Sequence, residues 1–498
     1  LHDALPICLN AVCCLGVCYQ YGIGTAPDAK QAAELYCKAA EYGSPRGQML
    51  LAHAFHDGIG VEADAAEAVY WVRAAAYQRY GEGMHRLGVC YEYGDGVEQN
   101  WERAVHWFRE AAESGVSAAM TDLGYCYEKG RGVEQSWEQA FSWYRRSAEC
   151  GNPVSMSNLG LCYQMGYGVE QNWQEAIKWY EQGAQCGDLQ SMHNLACCYE
   201  GGEGVEQNED RAFYWYRRSA EGGHGSAMCN LGRCYKRGYG VEQNWQEAVK
   251  WYEQGAQCGN LQSMHNLACC YEHGEGVKQN MTEAIRWYTA AAEGGNADDM
   301  YELGWQYDHG EGVEQDMKKA ICWYERAAEQ NHPAAMNSLG ECYAMGRGVP
   351  RDLETAMEWY RRAAELGEAM ADYNMGWHLE QAGKLSEAYA HYRKAADGND
   401  DSAWWALGRF YENGVVVAQD GKEARRCYET GEKLGSVKCK MRLARCKLLG
   451  IGGRRAKNAG LDLCCQALEL AKESSEKEDY GYEAEMNLLR RTIAENES

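Results

Sequence analysis

A chain of 498 residues with 49 Lys+Arg against 73 Asp+Glu carries a formal charge of -24. That charge repels the nucleic-acid backbone and anionic lipid, so no nucleic acid is expected and a basic or neutral protein partner is favoured. Nowhere do about eighteen apolar residues run together, which leaves no segment able to span a bilayer as a helix.

Residues 1–10 fit no pattern found further on. Their start, "LHDALPI", lacks the charged n-region and long apolar core of a secretory signal, the chain opens on Leu1, and its first Met is Met49. They read as a leader or a truncated end.

From Ala11 the chain repeats. Trp71, Trp107, Trp143, Trp179, Trp215, Trp251, Trp287, Trp323 and Trp359 stand 36 residues apart, and the same step carries Met84 through Met336 and Tyr91 through Tyr343. Each 36-residue unit is therefore one structural module. In the unit 156–191, Met156, Leu159, Cys162 and Tyr163 fall at helical spacing and predict a first helix, A. "GYGVEQN" breaks it, and Asn172, with Glu175 three residues on, is placed to cap a second helix, B. Ala176, Trp179, Tyr180 and Ala184 give helix B one apolar face, and Gly187 ends it. Gly160 and Ala176 would let A and B approach, with the Trp and Tyr ladder as core. One hairpin cannot bury such a face, so neighbours must stack into a solenoid with a grooved inner surface.

The stretch 123–151, "LGYCYEKGRGVEQSWEQAFSWYRRSAECG", resembles the Sel-1-like repeat, a relative of the tetratricopeptide repeat. The resemblance implies an all-α fold, a right-handed α-solenoid of about thirteen antiparallel helix hairpins. About ten Sel-1-like repeats fill 11–370, degenerate tetratricopeptide-like or Sel-1-like units fill 371–456, and 457–498 forms a C-terminal helical cap and polar tail. It also implies a non-enzymatic adaptor or scaffold. The alternative is hydrolase or penicillin-binding, beta-lactamase-like activity, linked to a cysteine-rich bacterial branch of the family.

The cysteines decide little in favour of that branch. Cys18, Cys90, Cys126, Cys162, Cys198, Cys234, Cys270 and Cys342 share one column, which Ala54 and Gln306 also occupy, as small core residues would. Stacked helices lie about 8–10 Å apart, beyond the roughly 7 Å reach of a disulfide, so this column cannot bridge itself. The branch's Cys-x7-Cys bridge is also absent: Cys150, Cys186 and Cys258 meet Asn158, Asn194 and Asn266 eight residues later. A cytoplasmic, reducing setting is favoured, although those three thiols could pair elsewhere and a signal peptide ahead of Leu1 would place the protein in the envelope or outside.

His265, Cys269 and His273 are spaced i, i+4, i+8, with His309 one repeat beyond, but no Cys-x-x-Cys or His-Glu-x-x-His accompanies them, so no metal is expected. Ser474 to Lys477 matches Ser-x-x-Lys without its Ser-Asp-Asn and Lys-Thr-Gly companions. The glycine turns lack a P-loop Lys and a preceding strand, so no cofactor is expected and no catalytic residue is assigned.

If helix A lines the groove, positions two, five and nine after each Met face it. This stripe varies where the core columns do not. It offers Tyr93, Tyr125, Lys129, Arg233, Arg237, Trp305 and His309, and a ladder of Asn158, Asn194, Asn230 and Asn266 able to bond an extended peptide backbone. Residues 166–200 return at 238–272 with only Ile177 and Asp188 changed, to Val249 and Asn260, so equivalent contacts recur two units apart. Nothing in the sequence sets an oligomeric state.

Overall fold

The computed structural model describes residues 4–477 and 482–497, and all regular structure there is helical. The helices are α1 (Ala4–Tyr21), α2 (Ala29–Glu41), α3 (Pro45–Asp57), α4 (Ala65–Tyr77), α5 (Gly81–Tyr93), α6 (Trp101–Glu113), α7 (Ser117–Lys129), α8 (Trp137–Glu149), α9 (Pro153–Met165), α10 (Trp173–Gln185), α11 (Leu189–Gly201), α12 (Glu209–Glu221), α13 (Gly225–Arg237) and α14 (Trp245–Gln257). They continue as α15 (Leu261–His273), α16 (Met281–Glu293), α17 (Ala297–His309), α18 (Met317–Glu329), α19 (Pro333–Met345), α20 (Leu353–Glu365), α21 (Ala369–Gln381), α22 (Leu385–Asp397), α23 (Asp401–Asn413), α24 (Gly421–Lys433), α25 (Val437–Leu449), α26 (Lys457–Lys477) and α27 (Glu483–Glu497). In α1–α26 the odd-numbered helices are the A helices and the even-numbered ones the B helices, in consecutive hairpins that make an α-solenoid, and α27 follows the last hairpin. Contacts divide it into two compact units, Leu1–Ser263 and Met264–Ser498.

Local chemistry sets the helix ends. The Asn172 side chain accepts the Glu175 backbone N–H at 3.1 Å and starts α10, while Glu175 turns its own carboxylate to Lys178 rather than back to the cap. At the other end Gly187 adopts φ +90° and donates to the Ala184 carbonyl at 3.1 Å. A helices end on a left-handed glycine such as Gly166 (φ +75°), whose N–H returns to the Cys162 carbonyl. The second glycine of that turn, Gly168 (φ +68°), backs directly onto the Trp137 carbonyl of the preceding repeat, where a Cβ would collide.

The core is built from small A-helix residues and B-helix tyrosines. Tyr144, Tyr180, Tyr216 and Tyr252 in the first unit, and Tyr288, Tyr324 and Tyr360 in the second, are essentially fully buried beside Met, Leu and Ala columns. The tryptophan column is different from what its periodicity suggests. Trp143, Trp179 and Trp323 are only partly buried, packed on the edge of the core, with a cation over each ring: Arg146 over Trp143 at 4.3 Å, Lys178 over Trp179 at 5.9 Å and Arg326 over Trp323 at 4.3 Å. Adjacent helical positions are turned by about 100°, so the tyrosine takes the inward direction and the indole caps the flank. The A-helix glycines serve that tyrosine: a Cβ on Gly160 would stand 2.5 Å from the Tyr180 ring.

The cysteine column is buried from Cys90 to Cys342, and all described cysteines are free. Burial pushes the Cys90 thiol up to about 11 and the Cys162 thiol up to about 12. In the second unit α27 lies against α25, where the Arg442 guanidinium donates to Glu485 at 2.7 Å.

Candidate binding face of the A helices

On each A helix the Met, Leu, Gly, Cys and Tyr columns turn inward, which leaves positions two, five and nine after Met on the opposite side. Large apolar side chains at those positions are left in solvent. Tyr21 (68% exposed), Tyr93 (73%), Leu161 (42%) and Met165 (50%) lie in the first unit, and Met345 (64%) and Trp377 (42%) in the second. Successive A helices also touch directly, at α1/α3 and α9/α11 in the first unit and α17/α19 and α23/α25 in the second.

In the first unit the structure brings Tyr93 and Tyr125 into one cleft with Val89, Glu92, Gln99, Trp101, Asp122 and Arg131. The Arg131 guanidinium lies 4.8 Å from the Trp101 ring centre and 5.4 Å from that of Tyr125, and the Lys129 ammonium is 5.9 Å from Tyr125. Lys129 is also paired with Glu128 at 2.8 Å. Asp122 receives His85 at 2.7 Å. Elsewhere a B-helix tyrosine donates to the acid at the equivalent of Glu92, as Tyr144 does to Glu128 at 2.7 Å. Here Phe108 replaces that tyrosine and brings no hydroxyl. Burial pushes the Glu92 carboxyl up, and Asp122 adds to the effect.

Several stripe residues are already engaged. Arg233 donates to both Glu200 oxygens, at 2.9 and 2.7 Å, and Tyr216 donates to the same carboxylate at 2.7 Å. Arg237 is exposed, in a cleft with Glu200, Gln207, Glu209 and Tyr239. Of the asparagine ladder, Asn158 is half-buried on α9, the Asn194 carbonyl oxygen accepts from Gln190 at 2.8 Å, and the Asn230 amide contacts the His193 ring at 3.1 Å. Spacing alone could not reveal the Arg233–Glu200 and Asn230–His193 contacts, because they depend on how one A helix meets the next.

In the second unit Trp305 and His309 stack, ring centres 4.4 Å apart, and His309 Nδ1 lies 3.0 Å from the Trp305 carbonyl oxygen. Asn266 is half-buried on α15. His265 turns to Asp299 at 2.7 Å while His273 turns to Glu272 at 3.7 Å, so the histidines of the i, i+4, i+8 series diverge. Among the described residues no three His, Cys, Asp or Glu side chains converge as metal ligands. The side chains of Ser474 to Lys477 lie outside the described residues. Among the described residues no helix is long and apolar enough to cross a membrane.

Tyr21 and Trp377 were not singled out from the sequence, yet the signal was there: Tyr21 stands 72 residues before Tyr93, and Trp377 36 after Glu341.

The family model described as Sel1 repeat matches twelve segments, 11–44, 45–80, 81–116, 117–152, 153–188, 189–224, 225–260, 261–296, 297–332, 333–368, 369–400 and 403–436. Among solved structures, the chain is similar to c5321, a protective antigen present in uropathogenic Escherichia coli strains displaying an SLR fold, at 30% identity over 92% of this chain and 97% of that one, with a TM-score of 0.59. It is also similar to a Sel1 repeat protein from Oxalobacter formigenes, at 32% identity over 50% of this chain and 99% of that one, with a TM-score of 0.47. No curated protein matches.

Proposed function

This chain belongs to the Sel1 repeat family, and from that premise we propose that it is a non-enzymatic adaptor that holds a protein or peptide partner, basic or neutral, against its A-helix face. The observation that carries the reading is the recurrence of exposed large apolar side chains, Tyr21, Tyr93, Leu161, Met165, Met345 and Trp377, at two stripe positions of that face. Scattered exposed apolar residues need no explanation, but these fall in two columns, Tyr21, Tyr93, Met165 and Met345 in one and Leu161 and Trp377 in the other. The direct contacts between successive A helices support a face curved inward, since among the described residues no two successive B helices meet to that extent within either unit.

The cleft around Tyr93 and Tyr125 suits a cationic side chain of the partner. Its rings offer π-faces, and Glu92 and Asp122 offer negative charge. Arg131 already rests on two of the rings, as an incoming cation would. Arg233 positions Glu200 from the next repeat, which makes it a support of the face; Arg237, Asn158, Asn194 and Asn230 contribute contacts in the first unit, and Asn266, Trp305 and His309 do so in the second.

The test is a peptide-display selection against the purified chain, repeated on a Tyr93→Ala/Tyr125→Ala variant. Peptides rich in Lys and Arg that lose affinity for the variant support the reading, and peptides indifferent to it do not. Turnover of a chromogenic beta-lactam would instead favour the hydrolase or penicillin-binding alternative.

A further inference from the structure

The duplicated stretch contains the same six residues, "HNLACC", at 193–198 and 265–270, yet the two histidines sit in opposite surroundings. In the second unit His265 Nδ1 lies 2.7 Å from Asp299 Oδ1, and the other ring nitrogen, Nε2, lies 3.6 Å from Cys269 Sγ. Asp299 is fully buried, and its second oxygen has no hydrogen-bond partner. The Cys269 sulfur is half-buried and also stands 3.3 Å from the Tyr288 hydroxyl, which donates to Glu272 at 2.7 Å. In the first unit the corresponding His193 Nε2 is 3.8 Å from Cys197 Sγ, but the Asn230 amide lies against that same nitrogen at 3.1 Å. The residue matching Asp299 is Ala227. The copies therefore differ through the next A helix, which brings Asp299 and Glu302 to one and Ala227 and Asn230 to the other.

We propose that Cys269, with His265 as its base and Asp299 as the group that orients the base, is a nucleophilic thiol poised for covalent modification by an electrophilic acyl group such as an activated ester or thioester. Sulfur, imidazole and buried carboxylate stand in the order that activates a thiol: a base within reach of the nucleophile, and a third group that fixes the base. With His265 held protonated beside the sulfur, the proton given up by the thiol already rests on the imidazole. The thiolate attacks the acyl carbon, the carbon–sulfur bond forms, the bond to the leaving group breaks, and the leaving group departs with the proton held by His265. The products are the S-acylated cysteine and the free alcohol or thiol, with no oxidant or metal required.

The charged surroundings fit. Asp299 and Cys269 hold His265 well above the ordinary imidazole range, to about 10, whereas burial and His224 hold His193 down, to about 4. Glu302, whose own carboxyl is pushed up by burial and by Glu272, faces His265 from α17, and Glu272 and Tyr288 complete the surroundings from α15 and α16. At 193 the sulfur-facing nitrogen is already an acceptor for Asn230, so Cys197 has no free base and serves as the internal control. The site is one of modification, and it leaves the adaptor reading unchanged.

The experiment exposes the purified chain to p-nitrophenyl acetate and follows acylation of Cys269 and Cys197 separately by peptide mass spectrometry from acid to alkaline pH. Near pH 6.5, where an ordinary thiol is about one per cent ionised, Cys269 is expected to acylate roughly ten- to a hundred-fold faster than Cys197. Asp299→Asn and His265→Gln are each expected to bring Cys269 down to the Cys197 rate and to shift its pH profile toward that of an ordinary thiol, with helicity unchanged by circular dichroism. Equal rates at the two cysteines, or a Cys269 rate and pH profile indifferent to both substitutions, would overturn the proposal.

Discussion

Single side chains carry consequences that the repeat pattern hides. Gln306 stands in the cysteine column, fully buried, and both ends of its amide lack a hydrogen-bond partner. An unsatisfied buried amide costs about 1–3 kcal/mol, so Gln306→Met, nearly equal in volume, is expected to stabilise the protein by that order in urea denaturation. Gly232 behaves in the opposite sense. Its missing Cβ would stand 2.5 Å from the Tyr252 ring, and Gly232→Ala is expected to cost about 1–3 kcal/mol by overpacking, read as a lower denaturation midpoint. The two copied histidines give a signed pH test. His265 has a folded value near 10, above the unfolded value of about 6.5, so its contribution is full below about pH 6.5 and fades as pH rises through about 10. His193 lies near 4, so its neutral form contributes above about pH 6.5 and the contribution is lost as pH falls through about 4. His265→Gln is thus expected to cost more at neutral than at strongly alkaline pH, and His193→Gln more at neutral than at acidic pH, in parallel thermal melts.

At the scale of the helix, most of the architecture could be read directly. The 36-residue step gave the hairpin, the A and B faces and the terminating Gly187, because each depends on local spacing and on a glycine only glycine can replace comfortably. Asn172 caps α10 as its position implies, and Asn172→Ala is expected to cost about 1 kcal/mol, measured by denaturation, with loss concentrated in exchange protection at the start of that helix. What escaped the sequence was direction within a face and contact between repeats. The Trp column shares the tyrosine's periodicity and differs from it only by one step of rotation, so pattern alone assigned both to the core. Arg233 looked like a free contact because Glu200, its partner, lies 33 residues earlier in the chain. The stripe itself was legible as a variable column, but which members stand in solvent required the packing of successive A helices.

At the scale of the whole chain, the repeat explains why a segment could be copied with two changes and still fit: nearest-neighbour interfaces are what each unit must satisfy. The same logic explains how copies diverge in chemistry, since the neighbour that follows each copy supplies Ala227 and Asn230 in one case and Asp299 and Glu302 in the other. If the proposed partner is basic, as the charge of -24 favours, its binding is expected to weaken as salt rises, mainly through a slower association rate. On the proposed reading, the A-helix face receives that partner. Titration of a selected Lys- and Arg-rich peptide into the wild-type chain and into Tyr93→Ala/Tyr125→Ala, by calorimetry at low salt, tests it most directly. A loss of affinity of about ten-fold or more, with the variant's helicity intact, is the predicted result. Equal affinity for both would contradict it.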